Sequence, residues 1–204
     1  MSPSRTRSSK PAMKALTPRG EELLPVVGDW IAKNGVFNFT LRSAADGLGM
    51  DDKTLRRHYG SRDGLLAALM IYAKRADLPK IREHIERHDS LADALHHWLQ
   101  LGDASPYSEK LRSQLFAAVV SEPSRWATTP SVSLDDYDEL FTGALQREGV
   151  SPAAARKLSN LIRGYLVTIR QTFNAFHDEA LARSQYKLLA DTVRLWQRHG
   201  GVKQ

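Results

Sequence analysis

Apolar residues recur along this chain at intervals of three and four, with no convincing run of strict alternation, so the pattern predicts helices and no strands. A first long helix runs from about Arg19 to Asn34. Leu23, Leu24, Val27, Trp30 and Ile31 form its stripe, and Gly35 lies just past its end. Pro25 removes a backbone donor there, which predicts a kink or a regular helix beginning only at that residue. Thr40 can cap a short helix carrying Leu41, Ala44, Ala45 and Leu48 on one face. Gly47 and Gly49 then permit a tight turn through the left-handed backbone region. Asp51 caps a second short helix to about His58, with Met50, Leu55 and Tyr59 as inward anchors.

Ser61 caps the next helix, Arg62 to about Ala76, which leads from this compact unit into the rest of the chain. Pro, Gly and Ser then punctuate helices at Pro79 to His88, Leu91 to Leu101, Tyr107 to Val120, Val132 to Glu148, Pro152 to His177 and Glu179 to His199. The fold class is therefore all-α. Residues 1–17 are expected as a loose basic arm, 18–64 as a three-helix unit with a helix-turn-helix, and 65–204 as a larger helical domain.

Charge sharpens the picture at one place. The 204 residues carry 29 Lys and Arg against 23 Asp and Glu, a net +6. Residues 1–64 hold eleven basic against seven acidic groups, so the excess per residue is larger at the N-terminal end. The short helix after Asp51 presents Lys53, Thr54, Arg56, Arg57 and His58 outward, a cationic surface that a major groove would accept. A solvated helical hairpin with exposed arginines is the competing reading of the same residues.

The flanks discriminate between the two. From Gly35 to Leu66 the chain reads GVFNFTLRSAADGLGMDDKTLRRHYGSRDGLL, which resembles the DNA-binding domain of TetR/AcrR-type transcriptional regulators. The shared features fall on Gly35, Phe39-Thr40, Ala44-Ala45, Gly49-Met50, Thr54-Leu55, His58-Tyr59, Ser61-Arg62-Asp63 and Leu65-Leu66, without a gap. The resemblance implies that Thr40, Thr54, His58 and Arg62 contact phosphate or place the recognition helix. It also implies that Asp52, Lys53 and Arg56 reach base edges or the backbone. Arg56 stands where the family usually has tyrosine, and Lys53 where a small residue is common. Asp51 and Asp52 would repel phosphate unless the first caps the helix and the second accepts from a cytosine amino group.

The resemblance also implies partners: double-stranded DNA, a second copy of the chain, and a small hydrophobic or aromatic effector. Trp98, Tyr107, Phe116, Tyr137, Phe141, Tyr165 and Phe173 are candidates to line an effector cavity, with plain core packing as the alternative for each. The last two helices are candidates for a four-helix dimer interface through Leu158, Ile162, Tyr165, Ile169, Leu189, Val193 and Trp196; the alternative is that these stripes are intramolecular core.

The leading functional expectation is a ligand-released repressor that binds a palindromic operator as a dimer. The runner-up is an architectural or division-associated DNA-binding protein of the same shape without an effector. No cofactor or metal is expected: His84 and His88 have i, i+4 spacing, but Glu83, Glu86 and Arg87 around them suggest a solvated face. An enzyme is not expected, since the sequence has no Ser/His/Asp spacing, phosphate-cradling loop or recognisable carboxylate pair. The absence of cysteine excludes disulfides. With no long apolar run and no signal-peptide core, a cytoplasmic protein without a membrane partner is expected.

Overall fold

In a computed structural model, residues 16–101, 109–122, 126 and 135–199 are described. Among them are nine α-helices and no strand. They are α1 (Pro18–Asn34), α2 (Leu41–Gly47), α3 (Asp52–Tyr59), α4 (Arg62–Glu86), α5 (Leu91–His96), α6 (Glu109–Ser121), α7 (Asp135–Arg147), α8 (Pro152–Phe176) and α9 (Glu179–His199), with a 3-10 turn at Trp98–Leu101. The N-terminal arm through residue 15, and Tyr107, lie outside the described residues.

Two prolines expected to interrupt helices do not. The hydroxyl of Thr17 accepts from Gly20 N and starts α1 at Pro18, so Pro25 sits inside a continuous helix. Likewise α4 runs 25 residues through Pro79, where separate helices were expected. Each proline forfeits one backbone bond, and packing on both sides offsets that local cost. The consequence is mechanical: α4 is one rod that begins beside α3 and ends against α5.

The buried apolar residues form two clusters. The first joins Leu24, Val27 and Ile31 of α1, Leu41, Ala44 and Ala45 of α2, Leu55 and Tyr59 of α3, and Leu65, Leu66 and Leu69 of α4. It continues past residue 64, and α6 contributes Leu111, Leu115 and Ala118 to it. The sequence suggested that α6 is largely buried, but Val120 is exposed and Phe116 only half-buried. The second cluster joins Ile81 and Ile85 of α4 with α5, α7, α8 and α9 through Leu95, Phe141, Leu145, Leu158, Ile162, Leu189 and Val193. Thus α4 contributes to both clusters, whereas α6 packs its buried apolar residues into the first and lies alongside α8.

Candidate nucleic-acid interface and effector cavity

The turn between α2 and α3 is built on two glycines with different duties. Gly49 has φ +64, a conformation that favours glycine. Gly47 instead ends α2 under Trp30, where an added Cβ would lie 2.2 Å from the indole Nε1. Asp51 then caps α3, its carboxylate accepting from Lys53 N at 2.9 Å.

Three inward residues at i, i+3, i+4 spacing fix the roll of α3. Leu55 is fully buried, and His58 and Tyr59 are buried beside it. The Tyr59 hydroxyl donates to the Gly20 carbonyl at 2.5 Å, and burial raises its pKa so that it remains a protonated donor. His58 Nδ1 is hydrogen-bonded to Thr17 Oγ1 at 2.7 Å. The outward position expected for His58 is therefore corrected: a Cβ at Gly20 would be only 3.3 Å from His58 Cβ, so the ring is packed onto the start of α1.

What α3 leaves in solvent is Lys53, Arg56 and Arg57, again at i, i+3, i+4 spacing, with Thr54 half-buried at the margin. Arg56 Nε donates to Asp52 Oδ2 at 2.6 Å; the side chains are 58% and 29% exposed. In water such a pair holds together weakly, so phosphate or a base edge can compete for the guanidinium. Thr40 is exposed and joined with Ser43 in a capping box: Thr40 Oγ1 accepts from Ser43 N at 3.0 Å and Ser43 Oγ from Thr40 N at 2.9 Å.

For Arg62, which the resemblance implies contacts phosphate or places the recognition helix, the structure shows contacts to the chain's own backbone and to an aromatic ring. Its Nη2 donates to the Val36 carbonyl at 2.6 Å, and its guanidinium lies 5.1 Å from the Phe39 ring centroid. This arginine ties the α1–α2 loop to the start of α4.

The larger unit has a partly open cavity of about 220 Å³ between α4, α6, α7 and α8. Of the aromatic candidates, Trp98, Phe116, Tyr137 and Phe141 line it. Tyr165 and Phe173 are instead half-buried against the second core, and Tyr107 is not described. The sequence reading missed the charged lining of Asp77, Arg112, Arg163 and Arg170. Arg163 and Arg170 flank Leu166 and Val167 at i, i+7, which places all four on one face of α8; that spacing was the available signal. Arg112 Nη1 meets Asp77 Oδ2 at 3.1 Å with both side chains largely buried, and Arg163 Nε donates to Asp138 Oδ1 at 2.8 Å. Burial first, and the Asp77 charge second, raise the pKa of Tyr137, so its phenol stays neutral.

No protein-family model and no curated protein matches the sequence. Solved structures do match the fold. A TetR transcriptional regulator from Legionella pneumophila aligns over 88% of this chain and 99% of its own, at TM-score 0.65 and 15% identity. A protein described as a transcriptional regulator from Pseudomonas aeruginosa PAO1 aligns over 93% of this chain and 96% of its own, at TM-score 0.67 and 15% identity. The fatty acid degradation regulator FadR from Bacillus halodurans aligns over 87% and 97%, at TM-score 0.58 and 16% identity. The chain has the TetR-regulator fold.

Within this TetR-type fold, the residues expected at a dimer interface face the chain's own interior. Leu158, Ile162, Ile169, Leu189 and Val193 are buried, and Tyr165 and Trp196 are half-buried against the same core. Leu188 and Leu195 on the far side of α9 and Leu161 at the edge of the α8 arc are each more than half exposed, and Phe176 is exposed at the end of α8. Glu83, Glu86 and Arg87 are exposed as expected, but His84 is not part of that solvated face: its ring is buried and bonded to the Ala94 carbonyl at 2.9 Å. Among the described residues, no group of three or more His, Asp or Glu could hold a metal ion, and no helix is long and apolar enough to cross a membrane.

Proposed function

We propose that this protein is a sequence-specific DNA-binding transcriptional regulator: a dimeric repressor that α3 holds on a palindromic operator and that a small molecule in the larger unit releases. The observation that carries the reading is the roll of α3. Leu55, His58 and Tyr59 lock one side into the head, which leaves Lys53, Arg56 and Arg57 as a single cationic face of a width suited to the major groove. Lys53 and Arg57 supply charge toward phosphate, while Arg56, once it lets go of Asp52, can pair with guanine O6 and N7.

The second copy would dock on the apolar faces of α8 and α9. Leu181, Leu188 and Leu195 are exposed at seven-residue spacing, and Leu161 is exposed on α8, a surface that a partner helix pair would cover. Dimerisation gives two reading heads, which bind half-sites about 34 Å apart far better than one head binds alone. The cavity favours the effector-responsive reading over an architectural protein of the same shape. Binding there would release DNA if the ligand prefers a spacing of the heads that the operator does not fit.

Selection of tight binders from a random duplex library tests the proposal. Enrichment of a palindrome with half-sites one helical turn apart is the expected result. Failure to enrich any sequence, with retention that tracks salt alone, would contradict it.

A further inference from the structure

The cationic face of α3 carries one carboxylate within the helix. Asp52 stands one turn before Arg56, and its Oδ2 accepts from Arg56 Nε at 2.6 Å. Its other oxygen, Oδ1, is closed off from solvent, and no donor among the described residues reaches it. Arg56 is therefore the one side-chain donor that this carboxylate has there. The neighbouring Asp51 cannot take its place, because its own carboxylate is committed to Lys53 N at the cap.

The groups of a duplex that can draw Arg56 away have different effects on what stays behind. A phosphate takes the guanidinium but leaves Asp52 without a donor beside further negative charge, so the exchange gains little. A guanine takes it through O6 and N7. Even then the freed Oδ2 needs a new donor, and a guanine O6 or thymine O4 facing it would add a second acceptor instead. Two bases offer an amino group in the major groove. Adenine N6 lies next to the N7 acceptor, which repels a carboxylate, whereas cytosine N4 has no acceptor beside it there. Side chains four apart on a helix stand about 5–6 Å apart, and base pairs rise about 3.4 Å per step, so the guanine and the cytosine lie within roughly two steps.

We propose that Asp52 is a specificity-determining residue of α3: it holds Arg56 back from phosphate and releases it onto a guanine that is accompanied by a cytosine, whose amino group replaces Arg56 on Oδ2. This rests on the reading of α3 as the helix that reads DNA. Asp52 acts chiefly by weakening the hold on unrelated duplex. What it raises is the ratio between matched and unmatched sequences.

Parallel selections from a random duplex library with wild-type protein, Asp52→Ala and Asp52→Asn test this, followed by anisotropy on the wild-type-selected duplex and a scrambled one. Wild type should enrich a guanine and a cytosine within about two base pairs of each other in each half-site. Asp52→Ala should keep the guanine and lose the cytosine. It should also bind the scrambled duplex about threefold more tightly and lower the selected-to-scrambled ratio about tenfold. Its salt slope on the scrambled duplex should steepen by about one, since Arg56 is free for a further phosphate. Asp52→Asn should change the enriched cytosine to adenine, because an amide pairs with adenine N6 and N7.

A residue that only buttresses Arg56 or the helix gives a different result. Asp52→Ala would then lose the guanine or weaken both duplexes alike, and either outcome would overturn the proposal. So would variants whose enriched sequence and scrambled-duplex affinity match wild type. Should Asp52→Ala fail to fold, the change from cytosine to adenine in Asp52→Asn decides alone. A palindrome enriched by wild type and read unchanged by both variants sinks this inference but leaves the reading of α3 intact; enrichment of nothing by wild type sinks both.

Discussion

Arginine is used in opposite ways in the two parts of this molecule. In the head, the Arg56 and Arg57 side chains are exposed on one face of α3, at little desolvation cost. In the larger unit Arg112 is buried against Asp77, where the cost of removing both charges from water is met only while the pair stays closed. The same side chain is therefore left available to an outside partner when it is exposed and is held as part of the fold when it is buried. Net charge does not distinguish these uses; burial does.

Breaking the enclosed pair should have the largest effect. Arg112→Met strands the Asp77 carboxylate and should cost about 3–5 kcal/mol in urea unfolding. A loss under about 1 kcal/mol would mean that the pair is effectively solvated and the contrast with the head false. Next is the apolar face of the larger unit: Leu188→Asp should leave the monomer folded, because Leu188 is exposed, while weakening self-association by about 2 kcal/mol or more in sedimentation. An unchanged sedimentation profile would move the interface elsewhere.

Arg62 tests whether a head arginine can be structural. Arg62→Ala leaves the Val36 carbonyl without its donor and should lower stability by about 1–3 kcal/mol, with DNA affinity falling mainly as the head loosens. Normal stability with a shallower salt dependence of binding would restore it as a phosphate contact.

The smallest effect concerns pH. Burial, the first cause, lowers the pKa of His84 below its ordinary 6.5; the Ala94 hydrogen bond opposes the shift, and His88, His97 and Arg87 add to it. The unfolded chain thus takes up the proton first. The stability His84 contributes is full above pH ~6.5 and is lost as pH falls through the lower folded value. The melting temperature should decline below about pH 6.5, and His84→Gln should flatten part of that slope; parallel curves would rule out His84 as the cause.

Much of the head was legible because its determinants are local. The Thr40, Asp51 and Ser61 caps, the glycine turn, and the Leu55 and Tyr59 anchors act over a few residues each, and the structure shows all of them. His58 was not legible, since its partner Thr17 lies 41 positions away, and Arg62 bonds a carbonyl 26 positions away. On α8 and α9 the pattern revealed a broad apolar arc but not which edge of it faces inward. Leu158 and Leu161 look alike in sequence, yet one is buried and the other half exposed. Pro79 misled in the same way, because packing at both ends of α4 outweighs a single missing hydrogen bond.

The decisive measurement is a paired titration of wild-type protein and Arg56→Ala into the selected duplex and a scrambled one, followed by anisotropy. Arg56→Ala should lose about 1–3 kcal/mol on the selected duplex, far less on the scrambled one, and unfold in urea like wild type. Equal affinity of the two proteins for the selected duplex would contradict the claim that the outward face of α3 reads DNA.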